Sequence, residues 1–242
     1  MNIEAHRITI NGLPVQVVRK DIKNLHLGVY PPNGRVRVAA PLHVSDKAVR
    51  LAVIGKLGWI KRQRAKFDAQ PRQSTREMIN GESHYFLGQR FRLRVAACDG
   101  AAKVVLSNKS VLKLHIRQEA TAAQREQALA RWYREQLREL IPPLLDKWQA
   151  SIGVQLADWA IKKMKTKWGS CNRKVRRIWL NLELAKKPTR CIEYILVHEL
   201  IHLIERKHND RFIALMDEHL PQWRLYRQEL NAEPLAHEKW SY

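Results

Sequence analysis

The sequence predicts an α+β protein with a β-rich region over residues 1–120 and a mixed α+β region over residues 121–242. In the first region, short runs rich in β-branched residues alternate with turn dipeptides. In the second, longer runs place an apolar residue at every third or fourth position, which is the period of a helix. A hydrophobic content of 45% over 242 residues is enough for a packed core and excludes a disordered or collagen-like chain.

The first region is predicted to contain several hairpins and one helical stretch. Asn11-Gly12 lies between two alternating runs, and this dipeptide is a strong signal for a two-residue hairpin turn. Ser45 is placed to cap a helical stretch near 45–67. No internal repeat is visible in the sequence. A second hairpin is predicted to join strands at 85–87 and 91–95 through a turn at Gly88. Further strands are predicted near 26–30, 36–40, 103–106 and 111–116.

The second region is predicted to begin with a capped helix. Thr121 and Gln124 have the spacing of a capping box. The Pro142-Pro143 pair is expected to end or kink this helix, because proline removes a backbone donor and clashes with the preceding turn. Two strands and two helices follow in the expected order, near 157–167, 178–182, 189–206 and 209–231.

The chain is strongly basic. It holds 44 Lys and Arg against 23 Asp and Glu, a formal net charge of +21, and the excess is spread over both halves. Such a field attracts nucleic acid, nucleotides or acidic protein surfaces, although a basic surface that is only solvated gives the same composition. Eleven of these cations lie within 160–190 with one acid, Glu183, which fits either a solvated sheet face or an anionic ligand.

Three features that the sequence lacks narrow the class of protein. No window holds 18 uninterrupted apolar residues, so no membrane contact is expected. The N-terminus has no basic stretch followed by an apolar run, so no secretory signal is expected. The three cysteines form no CxxC pair, which argues against disulfides and a cysteine zinc site. Together these features favour a cytoplasmic protein.

One motif carries specific chemistry, the HExxH formed by His198, Glu199 and His202. It lies in a segment with helical periodicity, and residues i and i+4 of a helix share one face. Two imidazoles so placed can bind one zinc ion. Glu199 then lies beside the ion, where its carboxylate can act as general base toward the attacking water. In a chain with 10 histidines this pattern rarely arises by chance.

A catalytic zinc usually has three protein ligands and one open position, so a third ligand is needed. His208 follows His202 after five residues and is the favoured candidate, because Arg206-Lys207 allow the helix to end and the chain to turn back. Glu205 would face the same way but lie about 10 Å along the helix axis from His198. Alternative ligands from later in the chain are Glu218, His219 and Glu229.

The surrounding sequence resembles a known family. In the metzincin pattern HExxHxxGxxH a glycine stands where this chain has Glu205, and glutamate resists the positive φ of that turn. The glycine-free spacing is similar to that of the YgjP-like and SprT-like metallopeptidases. The upstream Trp168-Gly169-Ser170-Cys171 block, the 178–184 segment and Pro188 resemble the WGSC block of the YgjP-like family. The resemblance covers roughly residues 10–230 and implies a minimal zincin fold over 121–242, with an active-site helix packed beside a small sheet.

The WGSC block and Asn181 supply candidate substrate-binding residues. Gly169 and Ser170 are small and would let another chain approach a strand closely. Trp168 fits either the core or a substrate platform, and Asn181 fits either a loop brace or a hydrogen bond to the active-site helix. Cys171 is interpreted as a packing residue rather than as a nucleophile.

The motif and the resemblance together predict a zinc-dependent hydrolase that acts on peptides or proteins. In this hypothesis His198, His202 and His208 bind one Zn²⁺ per chain, and Glu199 is the general base. The alternatives are a nucleoside triphosphate pyrophosphohydrolase, a DNA-associated SprT-like protease, and a nucleic-acid binder with a structural zinc. A fourth protein ligand would favour the last of these. The oligomeric state stays open.

Overall fold

The computed structural model describes residues 5–30, 34–69, 77–108, 110–164 and 167–232. The chain divides into two compact units, Met1–Arg72 and Gln73–Tyr242. The boundary predicted near residue 120 falls inside the second unit, between a strand and the long helix that follows it. A boundary near residue 120 between a β-rich region and a catalytic region stays a prediction.

The first unit is a four-stranded sheet followed by two helices. Strands β2 and β4 pair in parallel at its centre, and β1 and β3 are the antiparallel edges. The predicted Asn11-Gly12 hairpin is confirmed, with φ of 48° and 76°. The predicted 45–67 helical stretch is divided, because the first helix ends at Gly55. The elements are β1 (Ala5–Ile10), β2 (Leu13–Lys20), β3 (His26–Tyr30), β4 (Arg35–Pro41), α1 (Asp46–Ile54) and α2 (Leu57–Ala69).

The second unit begins with a sheet that repeats the strand order of the first. Its central strands β6 and β8 are parallel, and β5 and β7 are antiparallel edges, in the order β5-β6-β8-β7. No internal repeat is visible in the sequence, yet the two sheets share one strand order. The strands are β5 (Ser83–Phe86), β6 (Gln89–Ala97), β7 (Lys103–Ser107) and β8 (Val111–Ile116).

A 31-residue helix, α3 (Ala122–Ile152), follows this sheet. The predicted capping box is confirmed, because the side chains of Thr121 and Gln124 each bond to the other residue's backbone N–H. Of the two outcomes expected at Pro142-Pro143, an end of the helix is wrong, since α3 continues through both prolines; a kink stays a prediction. Buried residues on one face, Leu137, Ile141, Leu145 and Trp148, span the proline pair. This packing outweighs the missing backbone donors, because most helix stability in proteins comes from tertiary contacts.

The rest of the second unit is a small sheet and three helices. The sheet has the order β10-β11-β9 and is followed by a short 3-10 helix, Leu182–Lys186. The predicted 189–206 helix ends already at Ile201, and the predicted 209–231 helix is interrupted at Leu220-Pro221. The elements are β9 (Asp158–Lys162), β10 (Gly169–Asn172), β11 (Arg177–Asn181), α4 (Thr189–Ile201), α5 (Asp210–His219) and α6 (Trp223–Ala232).

Helix α4 packs against β10 and β11, which confirms the predicted α+β fold with a motif-bearing helix beside a small sheet. One continuous hydrophobic core joins this helix to α3 and to the inner face of the sheet β5–β8. Within the described parts of the chain, no helix is both long and apolar enough to cross a membrane.

Candidate active site

Helix α4 carries the HExxH motif and is buried on nearly all sides. Its buried residues are Cys191, Ile192, Tyr194, Ile195, Leu196, Val197, Glu199, Leu200 and Ile201. A helix that is apolar around its whole circumference is a central core helix. His198 and Glu199 lie in its last turn, and His202 is the residue that ends it. The motif therefore sits where a rigid element reaches the surface.

The structure brings the three predicted histidines together. Their ring nitrogens lie within 4.8 Å of one another, and Nε2 of His208 is 3.1 Å from Nε2 of His198. His208 lies on the connection between α4 and α5, two residues before α5 begins. Among the described residues, this cluster includes none of the alternatives Glu205, Glu218, His219 and Glu229.

Two further contacts orient the imidazoles. His202 donates from Nδ1 to the backbone carbonyl of Glu205 at 3.0 Å, which leaves its Nε2 facing the other two rings. The Phe212 ring packs against all three imidazoles, with centroid distances of 4.7–5.0 Å, and is 3% exposed. Sequence reasoning missed Phe212. Its signal is the Asn209 cap of α5, whose side chain accepts from the Phe212 amide and places this ring in the first turn.

Burial favours the neutral form of two of the three imidazoles, those of His198 and His202. Burial, followed by the neighbouring His202 and His208, lowers the pKa of His198 to about 3. Burial also lowers the pKa of His202 below its usual value. Neutral imidazole is the ligand form, and zinc binds histidine nitrogen at about 2.0–2.1 Å. The two Nε2 atoms of His198 and His208, 3.1 Å apart, can share one tetrahedral ion at such distances. A donor set of three imidazoles fits zinc.

Glu199 lies against strand β10. Its side chain is buried, with the residue 5% exposed, and burial raises its pKa to about 8, although Lys167 acts in the opposite direction. A Cβ placed on Gly169 would lie 2.5 Å from Oε1 of Glu199. Only glycine at position 169 therefore lets the strand approach the carboxylate this closely.

The histidines and Glu199 open into a cleft of about 1030 Å³. Gly169 and Ser170 line one side, which is where the sequence places small residues of the WGSC block. Cations also line the cleft, namely Lys167, Arg173, Lys174 and Arg206. Arg173 donates to the carbonyls of Leu203 and Ile204 at 3.3 and 3.1 Å, so it ties the β10–β11 turn to the segment after His202.

Trp168 and Asn181 do not line this cleft. Trp168 is half-buried against the core, with Nζ of Lys187 5.5 Å from its ring centroid. Asn181 is fully buried, and its Nδ2 donates to the carbonyls of Met164 and Lys167, both at 2.8 Å. Of the two roles considered for Asn181, the structure shows the loop brace, because its amide holds the segment that leads into β10.

Cys171 faces the cleft as a thiol. Burial, followed by the charge of Glu199, raises its pKa to about 11. Since the thiolate is the nucleophile, a thiol with this pKa is inert at neutral pH. The interpretation of Cys171 as a packing residue agrees with this environment.

The start of α4 is held by a hairpin that is distant in sequence. The β5–β6 turn donates from the amides of Leu87 and Gly88 to the carbonyls of Ala185 and Lys186, at 2.9 and 3.2 Å. A Cβ on Gly88 would lie 2.7 Å from Cγ of Pro188, the residue before α4. The β5–β6 hairpin therefore supports the N-terminal end of the motif helix.

Helix α6 contacts α4 one turn before the motif. The Tyr194 ring stacks on Trp223 with an interplanar angle of 11° and meets the edge of His198 at a centroid distance of 5.9 Å. Arg190 forms an ion pair with Glu229 of α6. These contacts fix the rotation of α4 and hence the direction in which His198 points.

Comparison with known proteins gives one family match and, among solved structures, similarities of low score. The chain is 22% identical to the Pyrococcus abyssi abylysin metallopeptidase zymogen, with TM-score 0.34 over 36% of this chain and 89% of that one. It is 23% identical to the Methanocaldococcus jannaschii jannalysin metallopeptidase zymogen, with TM-score 0.32 over 37% and 96%. No curated protein sequence matches. The sequence profile described as YgjP-like, metallopeptidase domain, matches residues 23–233. Because this match covers most of the chain, and includes the histidine cluster, the protein belongs to the YgjP-like metallopeptidase family.

Proposed function

We propose that this chain is a zinc-dependent metallopeptidase in which His198, His202 and His208 hold the ion. One observation carries the proposal: three imidazole nitrogens lie within 4.8 Å of one another beside a buried carboxylate, at the edge of an open cleft. Three protein ligands leave a position open for water and substrate, which is typical of a catalytic zinc rather than a structural one.

Zinc bound here would polarise a substrate carbonyl and acidify a water molecule. Glu199 is the general base. Burial raises the pKa of Glu199 to about 8, and a zinc cation beside it would favour the ionised form. The carboxylate then accepts a proton from the attacking water and passes that proton to the amine that leaves. The contact with Gly169 confines the Glu199 side chain, so the carboxylate stays beside the reacting atoms rather than turning to solvent.

Strand β10 is the proposed platform for the substrate. Among the described strands it pairs only with β11, so it is an edge of the small sheet, and Gly169 and Ser170 bring it to the cleft. An extended peptide can add to such an edge through backbone hydrogen bonds. This arrangement would place a peptide carbonyl beside the histidine cluster.

The metal assignment is tested by zinc content. We expect one zinc per chain in the purified protein and loss of that zinc in His202→Ala. The matched control is His219→Ala, because His219 lies outside the cluster and bonds to Ser151. Full zinc occupancy in His202→Ala, or loss of zinc in the control, would contradict the ligand assignment.

A second candidate function is hydrolysis of a nucleoside triphosphate. The observation in its favour is the four cations that line the cleft, which suit a polyphosphate as well as an acidic peptide. A parallel assay of zinc-loaded protein on unfolded protein, peptide libraries and nucleoside triphosphates separates the two. Triphosphate cleavage that depends on Glu199, with peptides left intact, would replace the peptidase proposal.

A DNA-associated protease uses the same site and differs only in how the substrate is recruited. Addition of DNA to the peptide assay tests this alternative. A rise in peptide cleavage that requires DNA would favour it.

A further inference from the structure

The outer face of the sheet β5-β6-β8-β7, opposite the hydrophobic core, has an unusual distribution of charge. Phe91, Leu93, Leu112 and Leu114 are buried on the inner face. Alternation along each strand therefore turns the intervening residues outward. Five exposed cations lie on this outer face: Arg90, Arg92, Arg94, Lys103 and Lys113.

These cations form an ordered row rather than a scatter. Arg90, Arg92 and Arg94 occupy alternate positions of β6, so their Cα atoms are about 6.8 Å apart along the strand. Lys113 lies directly across from Arg94 in the parallel pairing of β6 with β8. Lys103 on β7 faces His115 on β8. The positive charges thus extend across three of the four strands.

Nothing in the sheet balances this charge. The four strands contain no Asp or Glu. Within the described residues, none of the five cations forms a side-chain hydrogen bond or an ion pair. Like charges opposite each other, as at Arg94 and Lys113, disfavour strand pairing. Protection of an exposed sheet edge does not explain the four cations on β6 and β8, because these are the central strands.

The first sheet carries the same pattern. Its strands β1–β4 also contain no Asp or Glu. Arg37 lies between the buried Val36 and Val38 of β4, as Lys113 lies between two buried leucines of β8. Arg7 and Arg37 both pair with Gln16 of β2, so they share the outer face of that sheet. Two sheets of one topology therefore each keep cations, and no carboxylate, on the face away from the core.

We propose that the outer face of the sheet β5-β6-β8-β7 binds single-stranded nucleic acid. The spacing of the arginines along β6 is comparable to the distance between successive phosphates of an extended strand, so consecutive phosphates can meet consecutive guanidinium groups. The open face of a four-stranded sheet can support a single strand, whereas duplex DNA is read by elements that enter its grooves. Tyr85 is half-buried beside Arg90 on the same face and offers a ring for base stacking. This binding is separate from the proposed peptidase activity and does not require zinc.

The test measures binding of the full-length protein to fluorescent oligothymidylate and oligouridylate at several salt concentrations. The variant is Arg90→Gln/Arg92→Gln/Arg94→Gln. The matched control, Lys47→Gln/Lys56→Gln/Arg138→Gln, removes the same charge from exposed helical or turn positions elsewhere. For single strands each phosphate contact contributes about 0.7 to the slope of log affinity against log salt. We therefore expect the β6 variant to reduce that slope by about 2 and to bind at least about tenfold more weakly, and the control to bind like the wild type.

Two further measurements complete the test. Circular dichroism should be unchanged in the β6 variant because the substituted side chains are exposed. Its melting temperature should not fall, because Arg94→Gln removes a like-charge pair with Lys113. Lys103→Gln/Lys113→Gln provides a second variant if the β6 variant is less folded. His202→Ala should retain oligonucleotide binding. Equal weakening by the β6 variant and the control, salt-independent binding, or equal affinity for polyglutamate or for duplex DNA would overturn the proposal.

Discussion

The two four-stranded sheets of this chain have the same strand order, the same parallel central pair and the same kind of two-residue turn in their first hairpin. In each sheet the second residue of that turn is a glycine with positive φ, 76° at Gly12 and 80° at Gly88. The surroundings differ. A Cβ on Gly12 would meet no atom within 4 Å, whereas a Cβ on Gly88 would collide with Pro188 at the start of α4.

The difference shows how one topology serves two purposes. The first sheet closes its core with the short helices α1 and α2, and its cluster of buried residues contains no residue of the histidine site. The second sheet shares its core with α3 and α4, and its hairpin turn bonds to the segment before the motif helix. The second sheet is therefore part of the support of the active site.

The largest effect is expected from a substitution of the proposed general base itself, not of the elements that support it. Glu199→Gln should retain zinc and lower kcat by about 10²–10⁴, because the amide keeps the shape of the side chain but cannot accept the proton. Zinc content and kcat are measured on one preparation. Glu139→Gln, an exposed carboxylate on α3 away from the cleft, is the control. Loss of zinc together with activity would identify Glu199 as a ligand.

A smaller effect is expected from the strand that confines Glu199. In Gly169→Ala the new methyl group would lie 2.5 Å from Oε1, so the carboxylate must move. A displacement of about 1 Å at a catalytic group can cost about 10² in rate, and we expect that loss in kcat with zinc retained. Gly100→Ala is the control, because a Cβ there meets no atom within 4 Å. Wild-type kcat in Gly169→Ala would show that this contact is unimportant.

The two hairpin glycines test the comparison directly. Gly12→Ala should lower the free energy of unfolding by about 1–2 kcal/mol, the cost of a positive φ for alanine, and leave kcat unchanged. Gly88→Ala carries the same cost plus about 1–3 kcal/mol for the collision with Pro188, and it should also lower kcat. Chemical denaturation and peptide hydrolysis measure the two quantities. Equal effects of the two substitutions on stability and on kcat would contradict the conclusion that only the second sheet supports the active site.

The smallest effect is expected at Cys171. Its raised pKa, about 11, keeps the sulfur protonated at neutral pH, so Cys171→Ala should change kcat by no more than about twofold. Cys98→Ala, in the loop after β6, is the control. A loss of activity approaching that of Glu199→Gln would assign chemistry to the thiol.

Local signals in the sequence predicted much of the fold. The Asn11-Gly12 turn and the Thr121 capping box are confirmed, because each depends on a few adjacent residues. The helix end expected at Pro142-Pro143 and the predicted end of α4 were wrong because distant packing, not local propensity, decides how far those helices continue. The common topology of the two sheets was missed, since it is defined by strand pairing and not by residue identity.

For the candidate site, the sequence by itself determined the i, i+4 histidines, the adjacent glutamate and the proximity in sequence of His208. Only the tertiary structure decided that Phe212 packs under all three imidazoles, that Gly169 faces Glu199, and that Asn181 braces a loop instead of lining the cleft. The physical reason is one of range. Helical periodicity places residues a turn apart on one face, whereas a contact between α4 and α5, or between α4 and β10, exists only after the chain has folded around a shared core.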